Sequence, residues 1–299
     1  MLASAFASWF GRSHAAPPAP AAAAPVRVAP AAEAHPRTHP CTPWPRERIA
    51  LADALWGEGF GLPGGEVETL RLTRTLGPSP AHSLLLVGGG AGGAACAITR
   101  EFGAWVAALE NEPELVDAAH LLIARAQLGR KVSMAPWEPD RPAFETRKYH
   151  HCVALEPLIG IQAEPILDGL ARALKPSGQL VLTDLVAEGK PDPAHPALAR
   201  WAALERRDPA RLHASAAVTR MLGRVGMDVR IAEDISERHI GQVVQGWRTV
   251  VRDLGGARPD RASAARLVAE AERWLLRWRL VKEGRLRMMR WHAISRGGG

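Results

Sequence analysis

Three glycines at alternate positions, Gly88, Gly90 and Gly92, follow the apolar run Leu84-Leu85-Leu86-Val87 and precede a segment with helical spacing. Glycine has no Cβ, so a strand that turns into a helix through such residues lets a ligand approach the backbone. The helix N-terminus then offers free N–H donors. Gly88, Gly90 and Gly93 fit G-x-G-x-x-G equally well. The glycines alone therefore do not separate a dinucleotide from another adenosine cofactor, or from a tight turn without a ligand. Glu110 lies 22 residues after Gly88, at the expected end of the next strand. A carboxylate there can accept both hydroxyls of a ribose. It also suits the start of the following helix, where Glu112 and Glu114 add acid.

Proton chemistry points elsewhere. His150, His151 and Glu156 flank the apolar segment Cys152–Leu155, and each type can accept a proton from a hydroxyl or an ammonium. Glu156 is the better placed of these, at the strand's end, and His151 is carried with it as a catalytic candidate. No metal site is expected. Cys152 and His151 are strand neighbours and point to opposite faces, while His35, His39 and Cys41 lie in a proline-interrupted stretch without a fourth ligand.

The elements that must position these residues are read from apolar periodicity and breakers. Helices are expected over Ile49–Trp56, Glu66–Leu76, Ala94–Phe102, Pro113–Gln127 and Glu164–Leu174. Strands are expected over Leu84–Val87, Trp105–Leu109, Val132–Ala135, Cys152–Leu155 and, after the turn Lys175–Gly178, Gln179–Thr183. This alternation calls for a doubly wound α/β sheet with right-handed crossovers. Beyond it come helices Ala197–Arg207, Ala214–Val225 and Val243–Leu254, and a strand Asp228–Ala232. A helix Ala262–Lys282 and a strand Leu286–Ile294 follow. On that last helix Leu267, Ala271, Trp274, Trp278 and Val281 fall on one face.

Composition narrows the class. The 299 residues carry 38 Lys and Arg against 31 Asp and Glu, a net charge of +7. Residues 258–299 hold 11 of those bases and 4 of the acids, so the whole surplus sits in one segment. The expectation is a solvated covering layer that could meet an acidic partner; a nucleic-acid groove is disfavoured. No apolar run reaches the roughly 20 residues of a membrane helix. Three widely spaced cysteines suggest free thiols and a cytoplasmic setting. Residues 1–48, rich in Ala and Pro, read as a disordered tail. Residues 49–299 form one domain: a core at 80–190, a mainly helical cap at 191–257 and a closing helix and strand at 258–299.

With these elements in view, the chain resembles the class I S-adenosylmethionine-dependent methyltransferases of small-molecule type. Leu84 to Gly93 is similar to their glycine motif, and Ala107 to Glu114 to their ribose-binding strand end. Leu167 to Asp184 is similar to their helix, Lys-Pro-Gly-Gly turn and fifth strand, with Ser177 for the first Gly. The segment Trp56–Gly65 resembles the entry region of bacterial members. The resemblance implies a mostly parallel seven-stranded, Rossmann-like sheet and S-adenosylmethionine as cofactor. It also implies a small-molecule methyl acceptor, with Gly88, Gly90, Gly92, Glu110 and Asn111 at the cofactor.

The sequence departs from the family pattern at three places. Leu86 stands where an acid is usual. After the third strand Ala135-Pro136-Trp137-Glu138 leaves Glu138 as a displaced adenine contact and Trp137 as a stacking surface. His150 and His151 replace a usual Asp or Asn. A catalytically inactive binding or scaffold protein of the same fold is the alternative reading. A nucleic-acid-associated methyltransferase is a third, lowered by the lack of an Asn-Pro-Pro-Tyr-type motif.

Overall fold

Apolar runs such as Leu84–Val87 and Cys152–Leu155 lie in the strands of one sheet in a computed structural model of the chain. It describes residues 44–296 apart from 160–161, 188, 190, 193, 206 and 255–259. The strands are β1 (Ser83–Val87), β2 (Trp105–Glu110), β3 (Val132–Pro136), β4 (Tyr149–Leu155), β5 (Leu174–Ala187), β6 (Met227–Asp234) and β7 (Leu286–Ser295). Their spatial order is β3-β2-β1-β4-β5-β7-β6. The first five are parallel, and β7 runs antiparallel to both β5 and β6. The chain winds outward from β1 through β2 to β3, then returns to lay β4 on the other side of β1. That reversal opens a crevice beyond the C-terminal ends of β1 and β4.

The helices are α1 (Arg46–Trp56), α2 (Gly65–Arg74), α3 (Gly93–Phe102), α4 (Pro113–Arg125), α5 (Ala163–Ala173), α6 (Pro196–Glu205), α7 (Ser215–Arg224), α8 (Ser236–Leu254) and α9 (Arg261–Lys282). They explain why β1 is continuously apolar. Successive side chains of a strand point to opposite faces, and both faces of β1 are covered. Leu85 and Val87 pack with Ile166 and Leu170 of α5 and Val218 of α7. Leu84 and Leu86 pack with Ile98 of α3, Val116 of α4 and Leu72 of α2. Leu86, where the resemblance leads one to expect an acid, is thus fully buried core.

Expected and observed elements agree closely, with four informative differences. Helix α1 begins at Arg46, and Trp44 before it is buried beneath the Arg48 guanidinium, 4.0 Å from the ring centre. Strand β5 absorbs Lys175–Gly178, which reads as a turn in sequence; Ser177 takes a left-handed φ of 61° there. Helix α8 starts at Ser236, seven residues before the expected Val243. On α9 the buried face runs Trp274, Arg277 and Leu280, whereas Trp278 is exposed. The solvated basic layer expected at 258–299 is therefore corrected in part: Arg277 and Arg290 are buried.

Cys96 and Cys152 are free and buried. Among the described residues no helix is long and apolar enough to cross a membrane, and no acidic, histidine or cysteine group could hold a metal ion. The Ala- and Pro-rich stretch, with His35, His39 and Cys41, lies outside the described residues up to position 43.

Candidate functional site

The turn after β1 is shaped by its own chain before any ligand. Gly88 has a φ of +79°, and a Cβ there would lie 2.3 Å from the Leu155 carbonyl oxygen of β4. Gly90, at +60°, faces the segment Gly59–Gly61, and a Cβ on it would lie 3.1 Å from the Gly61 nitrogen. Both leave a concave rim along an open cleft of about 150 Å³, lined by Gly88, Gly90, Glu110, Asn111, Leu155 and Glu156, among others. Gly92 is different. A Cβ on it would meet Ala119 of α4 at 3.0 Å, and it does not line the cleft, so it serves helix packing.

Glu110 closes β2 at the cleft. Its Oε2 accepts the Gly90 N–H at 2.8 Å, and its Oε1 accepts the backbone N–H groups of Asn111 at 2.8 Å and Glu112 at 3.2 Å. Burial pushes this carboxyl up to about 7, against those three donors and with the Glu112 charge adding to the rise. A carboxylate oxygen has two lone pairs. Oε2, with one donor, keeps one for a hydroxyl. Asn111 also lines the cleft, its side chain donating to Glu112 Oε1 at 3.3 Å.

Opposite Glu110 stands a group of buried charges. Glu156, first residue after β4, takes a left-handed φ of 48° and is tied through its N–H to the Thr183 carbonyl at 2.8 Å. Arg277 of α9 grips both its oxygens, Nη1 to Oε1 at 2.8 Å and Nη2 to Oε2 at 3.1 Å; Arg207 adds Nη2 to Oε2 at 3.1 Å. Arg277 also holds Glu205 of α6 at 2.9 Å and lies over Trp274. Burial opposes the charge on Glu156, but Arg277 and Arg207 outweigh it and hold the carboxyl below its ordinary range. Glu156 therefore sits at the strand end that its spacing predicts, but it is a stable anion clamped by two guanidiniums and a poor proton acceptor.

Three other sequence candidates are not brought to the cleft. His151 pairs in register with Leu84 near the start of β4. Four residues of strand separate it from Leu155, about 13 Å. There its Nε2 lies 3.1 Å from His82 Nδ1, with His150 nearby bridging Ser83 and Lys175. A role for His151 at the C-terminal edge is thus corrected. Trp137 is buried against Phe144, ring centres 5.8 Å apart, inside the α5 layer; it lines no part of the cleft. Glu138 is exposed beyond it.

Sequence reasoning also missed residues that the cleft contains. Arg207, Arg273, Trp274 and Arg277 line it. His239 on α8 lines an adjoining inner pocket and is buried, its Nε2 lacking a hydrogen-bond partner. The one available signal was the spacing Ile240, Val243, Trp247 and Val250, which carries the α8 pattern back past the expected start.

No protein-family model and no curated sequence matches the chain. Solved structures do. Phosphoethanolamine N-methyltransferase 2 of Haemonchus contortus, in complex with S-adenosyl-L-methionine, is 17% identical with a TM-score of 0.72 over 83% of this chain. The chain spans 56% of that protein's length. A putative sarcosine dimethylglycine methyltransferase of Galdieria sulphuraria is 14% identical, with a TM-score of 0.63 over 77% of this chain and 85% of that one. The cyclase SpnF is 18% identical, with a TM-score of 0.61 over 78% of this chain and 82% of that one. At such identities it is the fold that is shared, and on topology and overlay alike the chain has the Rossmann-like methyltransferase fold.

Proposed function

We propose that this protein transfers a methyl group from S-adenosylmethionine to a small molecule. The observation that carries the reading is Glu110, buried at the end of β2 with a lone pair toward a cleft whose rim is made of Gly88 and Gly90. The residues present fit the cofactor. Glu110 would receive the ribose hydroxyls, and Gly88 and Gly90 would let the chain lie against the backbone. Leu115 and Leu155 supply apolar walls. Bound there, S-adenosylmethionine supplies a methyl group on a sulfonium, an electrophile with a good leaving group. Positioning can then supply most of the rate, and a strong base is not required.

The protein's own part is to orient and to exclude water. Arg277, Arg207, Glu156 and Glu205 form a neutral set of paired charges lining the cleft, with Arg277 over Trp274. The buried thiols of Cys96 and Cys152 support a reducing, cytoplasmic setting. The test is calorimetric titration with S-adenosylhomocysteine. Saturable binding in the micromolar range that Glu110→Ala weakens at least tenfold supports the reading. No binding at millimolar ligand removes it in favour of a scaffold protein.

A further inference from the structure

A second, inner pocket adjoins the cleft and shares Gly61, Leu62, Gly88, Leu155 and Glu156 with it. Its walls are mainly apolar: Phe60, Leu62, Leu72, Ile235 and Met288. Two carboxylates line it, and both are already paired. Glu156 is held by Arg277 and Arg207, and Glu68 by Arg238 at 3.1 Å and Gln242 at 2.8 Å. No lysine or arginine lines it. A phosphorylated acceptor would find no cation there, and an ammonium would find no unpaired anion.

A buried ring nitrogen of the lining lacks a partner. The His239 imidazole, only 5% exposed, lines the pocket, and its Nε2 makes no hydrogen bond. A buried ring nitrogen left without a partner is costly, and the ring is packed near Trp274 at 6.3 Å, with its backbone N–H donating to the Ile235 carbonyl. The charges around it are Arg277 from α9, Glu156 from β4's end and Glu205 from α6. Burial first, then Arg277, keep the imidazole down at about 4, so it is neutral near pH 7.

We infer that the inner pocket is the acceptor site, that it takes an uncharged apolar molecule bearing a hydroxyl, and that His239 accepts the hydrogen bond of that hydroxyl. This rests on the methyl-transfer reading above. In the reaction the acceptor oxygen bonds to the methyl carbon as the carbon–sulfur bond breaks. The electron pair stays on sulfur, giving the neutral thioether, and the hydroxyl proton leaves to water through the adjoining open cleft, while the neutral imidazole orients the hydroxyl. An aromatic alcohol matches the chemistry of these walls, because it combines an apolar face with one donor.

The test uses the full chain with 4-chlorophenol and 4-chloroanisole, which differ in the donor, each titrated by calorimetry with and without saturating S-adenosylhomocysteine. The expected result is that the phenol binds about tenfold more tightly than the anisole, in both conditions. His239→Phe should reduce that ratio to about one while leaving S-adenosylhomocysteine affinity unchanged. Should the variant not fold, the histidine ¹⁵N spectrum of the unaltered protein decides, since the His239 ring signals must shift with the phenol and not with the anisole. Equal affinities, displacement of the phenol by S-adenosylhomocysteine, or unmoved His239 signals overturn the proposal. If the phenol is selected but S-adenosylhomocysteine never binds, the methyl-transfer reading fails and the reaction step fails with it.

Discussion

Arg277 of α9 and Glu156 of β4's end, 121 residues apart in the chain, meet in a two-point ion pair at 2.8 and 3.1 Å with both side chains almost wholly buried. A planar guanidinium matches a carboxylate at two points, so the pair fixes orientation as well as charge. It also joins the closing helix to the central strand at the place where the cleft and the inner pocket meet. Glu205 completes the neutralisation; its carboxyl is drawn down to about 2, because Arg277, Arg273 and Arg207 together outweigh the effect of burial.

Removing one partner leaves a buried charge without compensation. Arg277→Met is expected to lower stability by about 3–5 kcal/mol, read from urea unfolding. The double variant Arg277→Met with Glu156→Gln should lose less than the sum of the two single losses. Strict additivity would show that the pair does not couple.

Cofactor affinity should depend on pH through Glu110. Its folded carboxyl sits at about 7, and the ionised form accepts hydroxyls more strongly than the protonated one. Affinity for S-adenosylhomocysteine should therefore rise as pH increases from 6 to 8 and level off above, following the ionised fraction. Calorimetry across that range is the measurement, and Glu110→Gln should flatten the profile as well as weaken it.

Acid should weaken the fold at the N-terminal end of β4, in the middle of the sheet. Burial, then His82 and His150, hold His151 at about 4 against an ordinary value of 6.5. Between those values the unfolded chain binds the proton and the folded one does not. Stability from this group is therefore full above pH 6.5 and is lost as pH falls toward 4. Unfolding curves at pH 7 and pH 4.5 should show a smaller acid loss in His151→Phe than in the unaltered chain.

The glycine turn should tolerate no side chain at Gly88. Gly88→Ala combines a left-handed φ with a Cβ 2.3 Å from the Leu155 carbonyl oxygen, and should cost about 2–4 kcal/mol in thermal or urea unfolding. Gly129, with nothing within 4 Å of a Cβ, is the control; Gly129→Ala should change stability by no more than about 1 kcal/mol.

The sheet was legible because its strands are short apolar runs between glycines and prolines, and because β1 must be apolar on both faces. The place of Glu110 at the end of β2 was legible from spacing alone. The cluster of buried charges was not. Hydropathy places Trp278 inward and Arg277 outward on α9, and the reverse holds because Glu156 and Glu205 satisfy the guanidinium while its face lies over Trp274. Such a burial is visible only once both acids are placed, and neither is near α9 in sequence. His151 misled for a related reason. A strand's length, not its identity, decides which end of the sheet a residue reaches, and β4 begins at Tyr149, three residues before the apolar segment that marks it.

Strand β7 pairs with β5 on one side and β6 on the other, yet it follows every other described element in the chain. During synthesis, β5 and β6 leave the ribosome with facing edges unpaired, and Glu156 and Glu205 emerge before the guanidinium that neutralises them. A nascent chain stalled before residue 286 would present two open sheet edges, a template for self-association. The native sheet closes by inserting its last strand between two earlier ones, and the half-made protein is at its most vulnerable until then.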